Sequence, residues 1–180
     1  MPKIIPVAIF DCVVFGATGD LTLRKLLPAL YYRFRDGQMP PESRVIGAAR
    51  SRLSDDDFRG RAIKALEKHV APGDQEPEIM HRFLAQLHYV PIDATEPDAD
   101  WSRFRDLLDP DRVRVFYLAT SPDLYGPVCH ALATASLVTE HSRVVLEKPI
   151  GHDLASAHVI IDEVGKVFTE AQPFRIDHYL

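Results

Sequence analysis

Residues 7–21 read VAIFDCVVFGATGDL, a β-strand running into a glycine turn. Val7 to Phe15 is an apolar, β-branched run that ends at Gly16, the pattern of a strand covered on both faces. Gly16, Ala17, Thr18, Gly19, Asp20 and Leu21 follow. Beyond them Leu23, Leu26, Leu27, Leu30, Tyr31 and Phe34 recur at helical spacing, with Gly37 as the stop. Strand, tight turn and helix together make a βα unit. Two glycines three apart let backbone approach a pyrophosphate, and the following helix N-terminus offers it free N–H groups. The spacing departs from G-x-G-x-x-G, so a glycine-containing turn that binds nothing is the alternative. Position at the first βα turn favours dinucleotide binding.

The same alternation continues to the end of the chain. Arg44 to Ala49 reads as a second strand. Ser54 is a good helix N-cap, with Asp55, Asp56 and Asp57 in the first turn of a helix that runs to about Val70. A helix over 78–86 leads into a strand from Leu87 to Pro91. Trp101, Phe104, Leu107 and Leu108 mark another helix, and Val113 to Ala119 another strand. Leu124 to Leu137 is expected to be helical, with Pro127 tolerated in the first turn. Val144 to Glu147 is a strand, Leu154 to Phe168 a helix, and Phe174 to Tyr179 a final strand. Strands alternating with helices in this way predict an α/β, doubly wound, mainly parallel sheet.

Composition agrees with a globular domain of this type. The chain has 180 residues, 46% hydrophobic and 26% charged, with a formal net charge of −5. A domain of this size buries roughly 70% of its unfolded surface. The mild acidity argues against nucleic acid as a partner, since phosphate-backbone binding needs a basic face. No apolar stretch approaches the roughly 18 residues of a membrane span. Pro6 and Asp11 interrupt the N-terminal apolar run, which therefore reads as a strand rather than a secretory signal. Cys12 and Cys129 lack metal-ligand spacing and lie in apolar segments, as buried free thiols do in a reducing cytoplasm.

Three further clusters carry chemistry. The second strand ends at Arg50, with Arg52 close behind, where an NAD-specific domain usually carries Asp or Glu for the ribose hydroxyls. A guanidinium there can make a bidentate contact with a 2′-phosphate, so NADP is preferred; a solvated surface arginine is the alternative. Glu147, Lys148, Pro149, Ile150 and Gly151 follow the fifth strand, where a lysine can bridge coenzyme and an oxygen-rich substrate. The Lys148–Pro149 bond is a candidate cis peptide. Arg175, Ile176, Asp177, His178, Tyr179 and Leu180 end the chain. An Asp beside a His can act as an orienting carboxylate with a phosphate-binding imidazole, and as an ordinary surface pair otherwise.

The segments FGATGDLTLRKLLPALY, GAARSRLSDDDF, FYLATSPDLY, VVLEKPIG and RIDHYL stand in the order found in glucose-6-phosphate dehydrogenases. From Val13 to Leu180 the chain resembles the N-terminal, Rossmann-like NADP-binding domain of that family. EKP-G alone is shared with sugar dehydrogenases of the glucose–fructose oxidoreductase type, whereas RIDHYL is not.

The resemblance implies cytoplasmic oxidation of D-glucose 6-phosphate at C1 to the 6-phosphoglucono-lactone, the entry to the pentose phosphate pathway. It implies that Gly16 through Leu21 form the coenzyme turn, that Arg50 meets the 2′-phosphate and that Tyr125 lines the coenzyme site. Lys148 would touch both coenzyme and sugar. His178 and Tyr179 would hold the substrate phosphate with Lys25 nearby, and Asp177 would pair with the catalytic histidine. In the family the motif continues into Gly and Lys and then a larger β+α domain, which supplies that histidine and the interface of a homodimer or homotetramer. Residues 1–180 are thus expected to be one dinucleotide-binding domain, inactive alone, with the β+α domain absent. The other seven histidines do not occupy the matching position. A related sugar dehydrogenase acting on an unphosphorylated sugar, and a stand-alone nucleotide-binding module, are the competing readings.

Overall fold

The computed structural model describes residues 7–176. Six strands are present: β1 (Phe10–Phe15), β2 (Arg44–Ala49), β3 (Leu87–Pro91), β4 (Val113–Leu118), β5 (Ser142–Glu147) and β6 (Pro173–Ile176). They form one sheet in the order β3-β2-β1-β4-β5-β6, and every neighbouring pair is parallel. The connecting helices are α1 (Leu27–Arg35), α2 (Asp55–His69), α3 (Pro77–Leu84), α4 (Ser102–Leu107), α5 (Tyr125–Thr134) and α6 (Leu154–Gly165).

Side chains alternate across a strand, and the two-sided burial of β1 follows from this. Val13 and Phe15 join Ile46, Phe104, Phe116 and Leu132 on one face. Cys12 and Val14 join Leu27, Tyr31, Phe58 and Phe83 on the other. Helices thus cover both faces, as a doubly wound sheet requires. Burial pushes the thiols of Cys12 and Cys129 up to about 12, with Asp11 adding to the effect at Cys12. No helix among the described residues is long and apolar enough to cross a membrane.

Local signals set the helix starts. Ser54 Oγ accepts from the Asp57 N–H at 3.1 Å and the Asp57 carboxylate accepts from the Ser54 N–H at 3.0 Å, closing a capping box on α2. Asp153 and Ser156 do the same for α6.

The differences from the expected elements have physical causes. β1 begins at Phe10 rather than Val7, because its pairing with β2 and β4 begins at Asp11 and Phe10. Val7 is half exposed. The first helix opens with a π-helical turn over Thr22–Leu26 before α1 continues it. The helix expected over 124–137 is a 3₁₀ turn (Pro122–Leu124) followed by α5, which stops before Ser136 in the left-handed region. α6 ends at Gly165 instead of Phe168, and Phe168 packs in the core. The last strand is seen as far as Ile176; the part of it placed over 177–179 lies outside the described residues.

Candidate coenzyme site

The turn after β1 is pinned between the ends of β2 and β4, where the strand order reverses and such sheets hold their ligands. The N–H groups of Gly16 and Ala17 donate to the Ala48 carbonyl at 2.9 and 3.2 Å. Gly16 has φ +83°, and a Cβ there would lie 2.2 Å from the Ala119 carbonyl oxygen, so only glycine closes this turn. The Gly16 carbonyl accepts from the Gly19 N–H at 2.9 Å and from Thr22 Oγ1 at 3.1 Å. Thr22 is almost fully buried and ties the π-helical turn to the glycine loop. A π-helical turn is rare and frequent at functional sites. Asp20, at the head of this helix, is exposed and paired with Arg24 at 3.1 Å.

Above this turn lies a cleft of about 500 Å3 built from the C-terminal ends of four strands. Gly16, Thr18 and Gly19 come from the first loop, Ala49, Arg50 and Ser51 from the second, Asp93 to Thr95 from the third, and Ala119 to Ser121 from the fourth. Leu124 and Val128 supply an apolar wall. The size falls in the range of small-molecule sites, roughly 300–1,000 Å3. The residues present suit a dinucleotide: a tight backbone turn, apolar strand ends and an arginine. Arg50 is exposed at the rim and faces a second hollow of about 750 Å3 that also takes in Arg52, Asp93 and Glu96.

Two residues that shape this rim were not evident from the pattern of the chain. Tyr89 is fully buried, yet its hydroxyl donates to the carbonyls of Ala49 and Ser51 at 3.2 and 2.8 Å, on either side of Arg50. Asp93 accepts from the hydroxyl and N–H of Thr95 at 2.7 and 3.1 Å. These bonds, with a smaller contribution from the Arg50 charge, hold its carboxyl below the usual range. The Tyr89 bonds depend on the sheet bringing β3 beside the loop after β2, whereas those of Asp93 are local, two residues along the chain.

The second group lies at the end of β5. The Lys148–Pro149 peptide, a candidate for the cis form, is cis. Glu147 is bound through its carboxylate by the Tyr117 hydroxyl and through its carbonyl by the Tyr125 hydroxyl, the latter at 3.1 Å. Tyr125 is 1% exposed, so the chain places it beneath Glu147 and not among the residues lining the cleft. The Lys148 N–H donates to the Ile176 carbonyl at 2.9 Å, which sets the chain just before Asp177 beside Lys148. Lys25 is exposed in the π-helical turn, and Lys148 is exposed beyond β5. Asp177, His178 and Tyr179 themselves lie outside the described residues. None of His69, His81, His88, His130, His141, His152 and His158 lines the cleft.

Residues 13–180 match the family described as glucose-6-phosphate dehydrogenase, NAD binding domain. Two curated relatives, each named glucose-6-phosphate 1-dehydrogenase, are similar over almost the whole chain. The protein of Gluconobacter oxydans is 51% identical over 95% of it, and that of Mycolicibacterium smegmatis 52% over 97%. The chain spans 36% of the length of each. A solved glucose-6-phosphate dehydrogenase in complex with its substrate glucose-6-phosphate matches with a TM-score of 0.84 at 31% identity, over 97% of this chain and 38% of that one. The glucose-6-phosphate 1-dehydrogenase of Mycobacterium avium gives 0.86 at 30% identity, over 96% and 36%. With the glycine turn, the strand order and the cleft in agreement, the chain belongs to the glucose-6-phosphate dehydrogenase family and corresponds to its NAD binding domain.

Proposed function

We propose that this chain binds NADP along the C-terminal edge of its sheet, as the coenzyme half of an enzyme that oxidises D-glucose 6-phosphate at C1. The observation that carries the choice of coenzyme is Arg50, which shares one cleft with the glycine turn and stands where an acidic residue would select NAD. A guanidinium at that point pairs with a 2′-phosphate through charge-assisted hydrogen bonds, which are about twice as strong as neutral ones. The backbone from Gly16 to Leu21 receives the pyrophosphate.

Bound NADP supplies the acceptor for the hydride that leaves C1. The remaining tasks fall to the polypeptide. Lys148, at the end of β5, spans coenzyme and sugar. His178 and Tyr179, with Lys25 nearby, hold the 6-phosphate. Asp177 orients a histidine contributed from beyond this chain and stabilises the imidazolium that forms when it takes the C1 hydroxyl proton. The product is the 6-phosphoglucono-lactone. The intact protein works in the cytoplasm as a homodimer or homotetramer on this small-molecule substrate, without nucleic acid or membrane. Residues 1–180 form its dinucleotide-binding domain.

The reading is supported by the substrate complex of the structural relative and by the shared name of the curated relatives. Its direct experiment is a parallel titration of the chain with NADP and with NAD. Tighter binding of NADP is expected, and equal affinities overturn the assignment of coenzyme.

A further inference from the structure

We propose that Tyr117 and Tyr125 are positioning residues that fix the peptide between Glu147 and Lys148, and so set the main chain from which the Lys148 side chain reaches its ligand. The two phenols reach Glu147 from opposite faces of the sheet. Tyr117 comes from β4, in the cluster packed by Leu27 and Tyr31, and donates to the Glu147 carboxylate. Tyr125 opens α5 on the other face, in the cluster with Phe116 and Val144, and donates to the Glu147 carbonyl at 3.1 Å. The next N–H, that of Lys148, donates to the Ile176 carbonyl at 2.9 Å on β6. Side chain, carbonyl and following amide of one peptide are thus held from three separate elements.

A buried tyrosine hydroxyl needs a partner, and a single such bond is ordinary core chemistry. Two that converge on the residue preceding a strand-end lysine are a constraint on that lysine. Both tyrosines are almost fully buried, at 6% and 1% exposure, so their hydroxyls are aimed by packing rather than by solvent. Burial and the Glu147 carboxylate raise the Tyr117 phenol, which therefore keeps its proton and remains a donor at all working pH values. Gly151 closes the other side of the segment: a Cβ there would lie 2.6 Å from the Ala157 nitrogen, so the loop presses directly on the start of α6. A long, flexible lysine on a fixed main chain has less freedom to lose when it takes hold of a ligand.

The inference rests on the proposed role of Lys148 in spanning coenzyme and sugar, which puts it at the hydride-accepting, nicotinamide end of the coenzyme. It is tested on the full 180-residue chain with Tyr117→Phe, Tyr125→Phe and Lys148→Ala, each titrated with NADP and with adenosine 2′,5′-bisphosphate, which lacks the nicotinamide half. Each phenylalanine variant is expected to weaken NADP by about three- to tenfold while changing the half-ligand by less than about twofold, the scale of one lost hydrogen bond. Lys148→Ala should show the same selective loss. Equal losses for both ligands, or none, in the two phenylalanine variants alongside a selective loss in Lys148→Ala overturn the positioning role alone. No selective loss in Lys148→Ala overturns the placement of Lys148 and the inference with it. The two variants remove separate hydroxyls from separate elements, so failure of one to fold leaves the other decisive.

Discussion

The hydroxyl of Tyr89 donates to the carbonyl oxygen of Ser51 at 2.8 Å, and a second bond to Ala49 lets it grip the backbone on both sides of Arg50. Arg50 itself is exposed, so its guanidinium is directed by its main chain rather than by close packing. Burial raises the Tyr89 phenol, and it stays a donor through the neutral range. Tyr89→Phe should therefore weaken NADP by about three- to tenfold, the scale of one or two hydrogen bonds, and weaken NAD less. Parallel titrations check this, and an equal effect on the two coenzymes would show that Tyr89 only fills the core.

Gly16 is constrained twice, by its φ of +83° and by the Ala119 carbonyl that a Cβ would strike. Gly16→Ala should lower stability by about 3 kcal/mol, the upper end for a residue forced into a disfavoured backbone region. Coenzyme binding should fall with it, because the turn must open to relieve the overlap. Urea unfolding monitored beside coenzyme titration reads both effects. Gly19 lacks the positive φ and its Cβ would meet only the Gly16 carbonyl at 3.1 Å, so Gly19→Ala should be milder.

Among the described histidines, His130 pairs with Glu163, His88 with Asp55 and His152 with Asp123. None lines the cleft. Residues 1–180 alone should consequently bind NADP yet fail to reduce it with glucose 6-phosphate. A positioned general base contributes about 10²–10⁴-fold, which binding alone does not replace. Absorbance at the reduced-nicotinamide band is the readout, and steady turnover by the purified chain would refute the assignment of the base to a residue outside it.

Acid stability should carry the signature of the α2 capping box. Hydrogen bonds from the Ser54 N–H and hydroxyl hold the Asp57 carboxyl below its ordinary value of 3.8. A depressed folded value means the ionised form is favoured by folding. The contribution is full above pH 3.8 and disappears as pH falls through the lower, folded value. Ser54→Ala should thus be less stable than the parent chain at pH 7, with the gap narrowing below pH 4. Thermal melts from pH 7 to pH 3 measure it, and a gap independent of pH would remove the carboxylate from the explanation.

Much of this architecture is legible in the chain itself, because parallel strands announce themselves as apolar runs. β2 and β3 begin and end at the expected residues, since Arg44 and Pro91 bound them. The β1 run overshoots because apolar character cannot report where the neighbouring strands start to pair. The glycine turn and Arg50 stand out as candidates from position alone, and the structure sets them in one cleft. Tyr89, Tyr117 and Thr22 do not, because each looks like an ordinary core residue until the tertiary fold delivers a carbonyl or carboxylate to its hydroxyl. The π-helical turn leaves no mark on hydrophobic spacing over a single turn.

On the proposed reading, Arg50 makes this an NADP site. The measurement closest to it is the affinity of Arg50→Ala for NADP and for NAD, by calorimetric titration beside the parent chain. NADP should lose about 1.5–3 kcal/mol, the range for hydrogen bonds to charged groups, while NAD stays almost unchanged. Equal losses for the two coenzymes would contradict the claim.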